Sequence, residues 1–441
     1  MNKKTETKAV SPWQWVPSLY FAQGIPYVVV MSVAVILFKR MGMSNTDIAL
    51  YTSGLNLPWV IKPLWSPLVD LLKTKRWWIV VMQILVGAGL AGIALTIQGP
   101  LAFRYCLAFM WLLAFSSATH DIAADGFYML GLNEKKQAYF VGIRNTFYRF
   151  AVIFGQGILV MFAGWLEQRY AREMPETAAI PQAWSLTFYL LTILFALLFV
   201  YHYLFLPHPR RDTCTLPPQQ ASAGRVFKEF LGTFTSFFQK KHIVSALIFI
   251  LLYRFAEAQL VKITSPFLLD TPATGGLALS TAEVGFIYGT IGVIALTIGG
   301  IVGGIAMARR GLKSCLWTMT IAMNLPNIVY LYLSFARPES IGIISGCVAI
   351  EQFGYGFGFT SLTYFMMLFS NGKHQTAHYA ICTGFMALGL MLPGMISGWI
   401  EESIGYRAFF VWIMLCTIPS FWATHLVRKN LTDNHSDNSS R

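Results

Sequence analysis

MSNTDIALYTSG (Met43–Gly54) and LSTAEVGFIYGTIG (Leu279–Gly292) are two copies of one motif in a chain of 441 residues. Ser44 in the first answers Ser280 in the second, and Asp47 answers Glu283. A serine followed three residues later by an acid is a capping box, in which hydroxyl and carboxylate satisfy backbone N–H groups left free at a helix start. Farther along, AGWLE (Ala163–Glu167) is matched by SGWIE (Ser397–Glu401). Ser44 and Ser280 lie 236 residues apart and Gly164 and Gly398 lie 234 apart, so two independent matches share nearly one offset. The chain reads as a duplicated unit.

Outward from these motifs the sequence is oily. Hydrophobic residues make up 55%, charged residues 12%, and the mean hydropathy is +0.54. A soluble domain carries about 25% charge, so a disordered chain, a disulfide scaffold and a water-soluble enzyme are excluded. The apolar runs are continuous and helix-length, unlike the roughly 10-residue alternating strands of porin-type barrels. With about 20 residues needed per span, twelve spans are expected at 16–38, 47–69, 77–97, 102–130, 138–166, 184–206, 243–269, 284–307, 314–335, 341–370, 378–400 and 407–427. The first run is long enough to span, so no cleavable leader is expected. A six-helix unit keeps its orientation on duplication, so the expected fold class is an all-α membrane protein of twelve transmembrane helices in two six-helix parallel repeats, the major facilitator architecture. The expected domains are an N-terminal half (1–206), a cytoplasmic linker (207–242) with an amphipathic helix over Val226–Phe238, a C-terminal half (243–427) and a cytoplasmic tail (428–441).

Net charge is +13. With the N-terminus cytoplasmic, 21 lysines and arginines fall on the cytoplasmic side. Only 7 fall on the other: Lys39, Arg40, Arg104, Arg169, Arg172, Arg337 and Arg407. The positive-inside rule then puts both termini in the cytoplasm and removes nucleic acid as the reason for the basic charge. The six cysteines form no CxxC or His/Cys cluster, so neither metal nor cofactor is expected.

Nine charges fall inside the expected spans: Lys62, Arg144, Arg149, Arg254 and Lys262 against Asp121, Asp125, Glu257 and Glu351. Each costs roughly 2.5–3.5 kcal/mol at a helix centre, so each should face protein or a wet cavity, as a ligand-binding group or as a tie between helices. Helices four and five form a hairpin turning near Glu134–Lys136, and residues equally far from the turn share a depth. Depth predicts Asp125 against Arg144 and, deeper, Asp121 against Arg149. His120 is expected to pack helices rather than bind a metal. Arg254 and Glu257, at i,i+3, can pair within helix seven. Glu351 has no cation on its own helix. Unless it pairs with Arg254 or Arg149, it relieves its desolvation by binding a proton, with Glu257 the second candidate. Arg149, Arg254 and Lys62 are candidates to bind an anionic ligand. Tyr148 and Tyr253, each just before an intramembrane arginine, are candidates to stack on it. Asp70, followed by Lys73, Lys75 and Arg76, resembles the acid-and-base loop that latches an inner gate in major facilitators.

KPLWSPLVD (Lys62–Asp70), SSATHDIAAD (Ser116–Asp125), LLYRFAEA (Leu251–Ala258), TAEVGFIYGTIG (Thr281–Gly292) and EQFGYGFGFTSLTYFMML (Glu351–Leu368) together resemble the AmpG-type muropeptide permease family, with general similarity from about Val16 to Val427. The resemblance implies import of N-acetylglucosaminyl-anhydro-N-acetylmuramyl peptides across the bacterial inner membrane by proton symport. It also implies importance for Asp70, Asp121, Asp125, Arg149, Arg254, Glu257 and Glu351. The implied partners are a small glycopeptide, protons and the bilayer, acting on a monomer. Two places depart from proteobacterial members: Gly126-Phe127-Tyr128, where they carry a lysine, and ALGLMLPG (Ala387–Gly394), where they carry an arginine. Fewer cations along the path keep open an alternative, a major facilitator for another amphipathic anion such as an acyl-coenzyme A or a siderophore. No nucleophile constellation or phosphate loop supports an enzyme.

Overall fold

The computed structural model describes residues 11–209, 212, 232, 234–371 and 375–439, and among these every regular element is a helix. In the first repeat they are α1 (Pro12–Val28), α2 (Ala34–Arg40), α3 (Asn45–Gly54), α4 (Leu57–Leu72), α5 (Lys75–Thr96), α6 (Ala102–Gly131), α7 (Glu134–Val152), α8 (Leu159–Tyr170) and α9 (Glu176–Phe205). The second repeat holds α10 (Ile243–Leu252), α11 (Phe255–Leu269), α12 (Thr281–Val284), α13 (Val293–Asn324), α14 (Ile328–Ala336), α15 (Ile341–Ser370), α16 (Gln375–Leu415) and α17 (Thr417–Ser439). Wide π turns at Val29–Val33, Ile153–Ile158 and Gly285–Gly292 join α1 to α2, α7 to α8 and α12 to α13. The capping motifs start helices as expected: Ser44 accepts from the Asp47 N–H, and Ser280 with Glu283 forms a full reciprocal box. The expected surface helix over Val226–Phe238 falls mostly outside the described residues.

Among the described residues, eight segments are long and apolar enough to cross a bilayer, against the twelve expected. Two of them, of 56 and 54 residues, exceed any bilayer thickness. Each contains a glycine at positive φ, Gly311 (73°) and Gly405 (77°), in a conformation that only glycine adopts without strain. These glycines sit at the expected breaks between spans 307|314 and 400|407. The expected second and tenth spans are not among the eight. The former is interrupted between α3 and α4, neither of which is long enough alone, and Asp47 and Lys62 dilute it. Glu351 and glycines 342, 346, 354, 356 and 358 dilute the latter.

The chain divides into two compact units. One comprises 1–28, 65–154 and 184–220, with a core that includes Trp15, Leu19, Ile79, Phe127 and Leu206. The other comprises 29–64, 155–183 and 221–441. Part of its core gathers Phe249, Tyr253, Leu316, Met319, Leu362 and Phe365. There α13 and α15 touch backbone to backbone, because Gly299, Gly303 and Gly356 leave no Cβ between them. Lipid tails are as apolar as leucine, so such close packing replaces the hydrophobic effect as the force joining membrane helices.

Candidate functional site

In the first unit the hairpin of α6 and α7 brings Asp125 to Arg144 at 3.3 Å. Tyr20 of α1 completes the cluster, donating to Asp125 at 3.0 Å and accepting from Arg144 at 3.0 Å. The guanidinium also lies 5.0 Å from the ring centres of both Tyr20 and Tyr128. Asp121 does not meet Arg149: it accepts a hydrogen bond from Gln23, and Arg149 forms no ion pair among the described residues. Depth matched but facing did not. Five residues along a helix rotate a side chain by about 140°, so Arg144 and Arg149 cannot both face α6. Tyr148 lies beside Tyr27, with ring centres 6.4 Å apart. Buried His120 bonds Gln83, which also bonds His202, whose other nitrogen meets Ser18. That chain ties α6, α5, α9 and α1 together.

On the loop side of this unit, the Asp212 carboxylate accepts from the backbone N–H groups of Lys75 (2.7 Å) and Arg76 (3.0 Å), capping α5. Arg76 donates to the Leu206 and Tyr203 carbonyls. The Asp70 side chain lies outside the described residues.

In the second unit, helix seven is interrupted at Tyr253 and Arg254, between α10 and α11. Arg254 Nε and Nη2 donate to the Glu257 carboxylate at 3.0 and 3.2 Å, and Nη2 also donates to the Tyr355 hydroxyl at 2.8 Å. Irregular backbone inside a membrane protein is tolerated where it is buried in protein or lines a cavity. Tyr253, expected to stack on a ligand, instead lies in the core: it is 0% exposed, and its hydroxyl meets the Gly358 carbonyl and Ser361. Among the described residues Glu351 forms no ion pair. It is 3% exposed, and its hydrogen-bond donors there are neutral, the Tyr330 hydroxyl at 3.2 Å and Gln352 Nε2 at 2.9 Å. Lys62 is half-buried on α4.

A third group went unrecognised in the sequence, although its residues lie in the duplicated motifs. Within the second unit the two motifs are each other's partners. Gly164 of AGWLE packs against the backbone of Thr281 and Ala282, and Glu167 accepts from Thr281 at 2.6 Å. Gly398 of SGWIE packs against Asn45, which donates to Glu401 at 2.6 Å. Beside them, Arg40 reaches Glu167 at 3.1 Å, and Thr46 binds Glu402 through both its N–H and its hydroxyl. Lys39 bridges to Asp270 at 2.7 Å, and Asp270 accepts from Tyr406 at 2.6 Å. Through these contacts α2, α3 and α8 of the first repeat are latched to α11, α12 and α16 of the second. Removing the charge at the Lys39–Asp270 contact leaves a partly buried partner uncompensated. Lys39→Asp is expected to shift the latch toward open by about tenfold (~1.4 kcal/mol). The swap Lys39→Asp with Asp270→Lys should recover most of that, as read from the distance distribution of spin labels at Met43→Cys and Ser403→Cys. Equal loss in the single and swapped variants would show that the pair does not hold the latch.

The helical architecture is shared with known membrane carriers. The profile of the Major Facilitator Superfamily matches residues 18–376, and the chain belongs to that superfamily. The anhydromuropeptide permease of Escherichia coli K12 is 24% identical over 420 residues, covering 94% of this chain and 79% of that protein. An AmpG-named protein of Rickettsia conorii is 25% identical over 415 residues, covering 92% and 93%. Among solved structures, a D-xylose-proton symporter superposes with a TM-score of 0.69 at 13% identity, covering 94% of this chain and 96% of that one. The nucleoside transporter NupG gives 0.64 at 13%, covering 94% and 98%. The protein is therefore a multi-pass membrane transporter of the major facilitator type and not an enzyme.

Proposed function

We propose that the protein imports anhydromuropeptides across the bacterial inner membrane by proton symport, with both termini cytoplasmic and the latch on the periplasmic side. The observation that carries the coupling is Glu351, a carboxylate buried to 3% exposure and held by neutral donors alone. A carboxylate in that setting becomes tolerable by taking a proton. Glu257 already has Arg254 and is the weaker carrier. In the second unit Arg254 and Lys62 supply positive charge for the peptide carboxylates and Tyr355 a ring face; in the first, Arg149 and Tyr148 offer the same kinds of group. The names of the relatives support the cargo.

The test is uptake of labelled N-acetylglucosaminyl-anhydro-N-acetylmuramyl peptide by proteoliposomes, with and without an imposed proton gradient. Gradient-dependent accumulation is the expected result. Saturable but gradient-independent equilibration would make the protein a facilitator, and no uptake would turn the search toward other amphipathic anions such as acyl-coenzyme A or siderophores.

A further inference from the structure

Lys262 of α11 is 2% exposed and makes no hydrogen bond or ion pair among the described residues. Its neighbours explain how it is enclosed. Gly394 of α16 has no side chain, and the place its Cβ would take lies 3.5 Å from Lys262 Cγ and 2.6 Å from Ser53 Oγ of α3. Ser53 Oγ is itself buried without a partner. The aliphatic stem of Lys262 and the unbonded hydroxyl of Ser53 therefore flank one point where helices seven, two and eleven cross. Lys262 lies eight residues before Asp270, about 12 Å below the latch by helix rise.

The carboxylates on the helices packed against this lysine are engaged elsewhere. Glu401 holds Asn45, Glu402 holds Thr46, and Asp47 and Glu283 sit in their capping motifs. Glu257, on the same helix, is clasped by Arg254, and only its field reaches Lys262. Of the cations, Lys39 is on Asp270 and Arg40 on Glu167. An ammonium sealed off in this way costs several kcal/mol unless something neutralises it.

We propose that Lys262 makes closure of the latch conditional on anion binding. With the latch open, the ammonium is hydrated and receives a carboxylate of the incoming substrate, with Ser53 as a second donor. With the latch closed, its charge must be cancelled by that anion or lost as a proton. An empty carrier with Lys262 charged resists closing, so the cargo is required to bring an anionic group. The inference rests on the transporter function proposed above and names the substrate feature it selects.

The experiment follows spin labels at Met43→Cys and Ser403→Cys in nanodiscs, without substrate, from pH 6 to pH 9. One proton released on closing raises the closed-to-open ratio as pH rises, by up to about tenfold per unit where the closed state has lost the proton and the hydrated open state keeps it. Lys262→Met should close at every pH, and Lys262→Arg should stay open throughout. A merely structural lysine would move both variants the same way, and that result, or a tenfold slope persisting in Lys262→Met, overturns the proposal. Adding N-acetylglucosaminyl-anhydro-N-acetylmuramyl tetrapeptide at pH 7 should close the wild type and not Lys262→Arg. If the substrate-free arm behaves as expected and this peptide alone fails to close the wild type, the lysine gate stands and the cargo assignment falls.

Discussion

Replacing Glu351 by glutamine is expected to abolish accumulation driven by a pH gradient while leaving substrate exchange close to wild type. The amide fills the same volume and can still accept from Tyr330 and Gln352, so the helix contacts of α15 persist. What it lacks is a proton to carry. For a one-proton symporter, an imposed gradient of about two pH units can sustain roughly 100-fold accumulation, since each tenfold ratio corresponds to about 1.4 kcal/mol. The variant should fall to a ratio of about 1. Counterflow of labelled against unlabelled substrate needs no net proton movement and should survive. Normal accumulation by Glu351→Gln would remove the proton from this carboxylate. Loss of exchange as well would make Glu351 a structural group.

A single methyl at Gly398 should be as damaging as the loss of a charge. A Cβ there would overlap the Asn45 carbonyl, a backbone atom that no rotamer change can move aside. Overpacking costs typically 1–3 kcal/mol, and a backbone clash belongs at the upper end. Gly398→Ala should therefore shift the latch toward open by about 100-fold, with uptake falling in proportion. Gly164→Ala, which meets the Ala282 backbone, should act in the same direction. Both variants should still fold, because a carrier passes through a state in which these surfaces are apart. Gly304→Ala meets nothing within 4 Å and serves as the control. Wild-type latch distances in Gly398→Ala would mean that the helices can separate slightly at no cost.

What could be read from the sequence divides along physical lines. Hydropathy reports depth and length, so a helical membrane protein with a repeated half was legible from the apolar runs and from Ser44/Ser280. Counting from a turn also gave the depth at which Asp125 meets Arg144. It could not give rotation, and the expected Asp121–Arg149 contact failed for that reason. The interruption at Tyr253–Arg254 carries neither proline nor glycine, so nothing local marks it, and a tyrosine expected to meet ligand proved to be core. The latch was present in plain view as two repeated motifs. Similarity shows that two segments share an origin, but not that the pieces touch each other. Two neighbouring deviations were visible only in three dimensions: Lys262, buried without a partner among the described residues, and Ser53, whose hydroxyl is buried unbonded among them.

The reciprocal fit of the repeated motifs has an evolutionary corollary. If each half once existed as a separate six-helix chain, two copies would have bound through an isologous surface, the Gly-Trp-x-Glu end of one seating on the capped helix of its twin and the reverse.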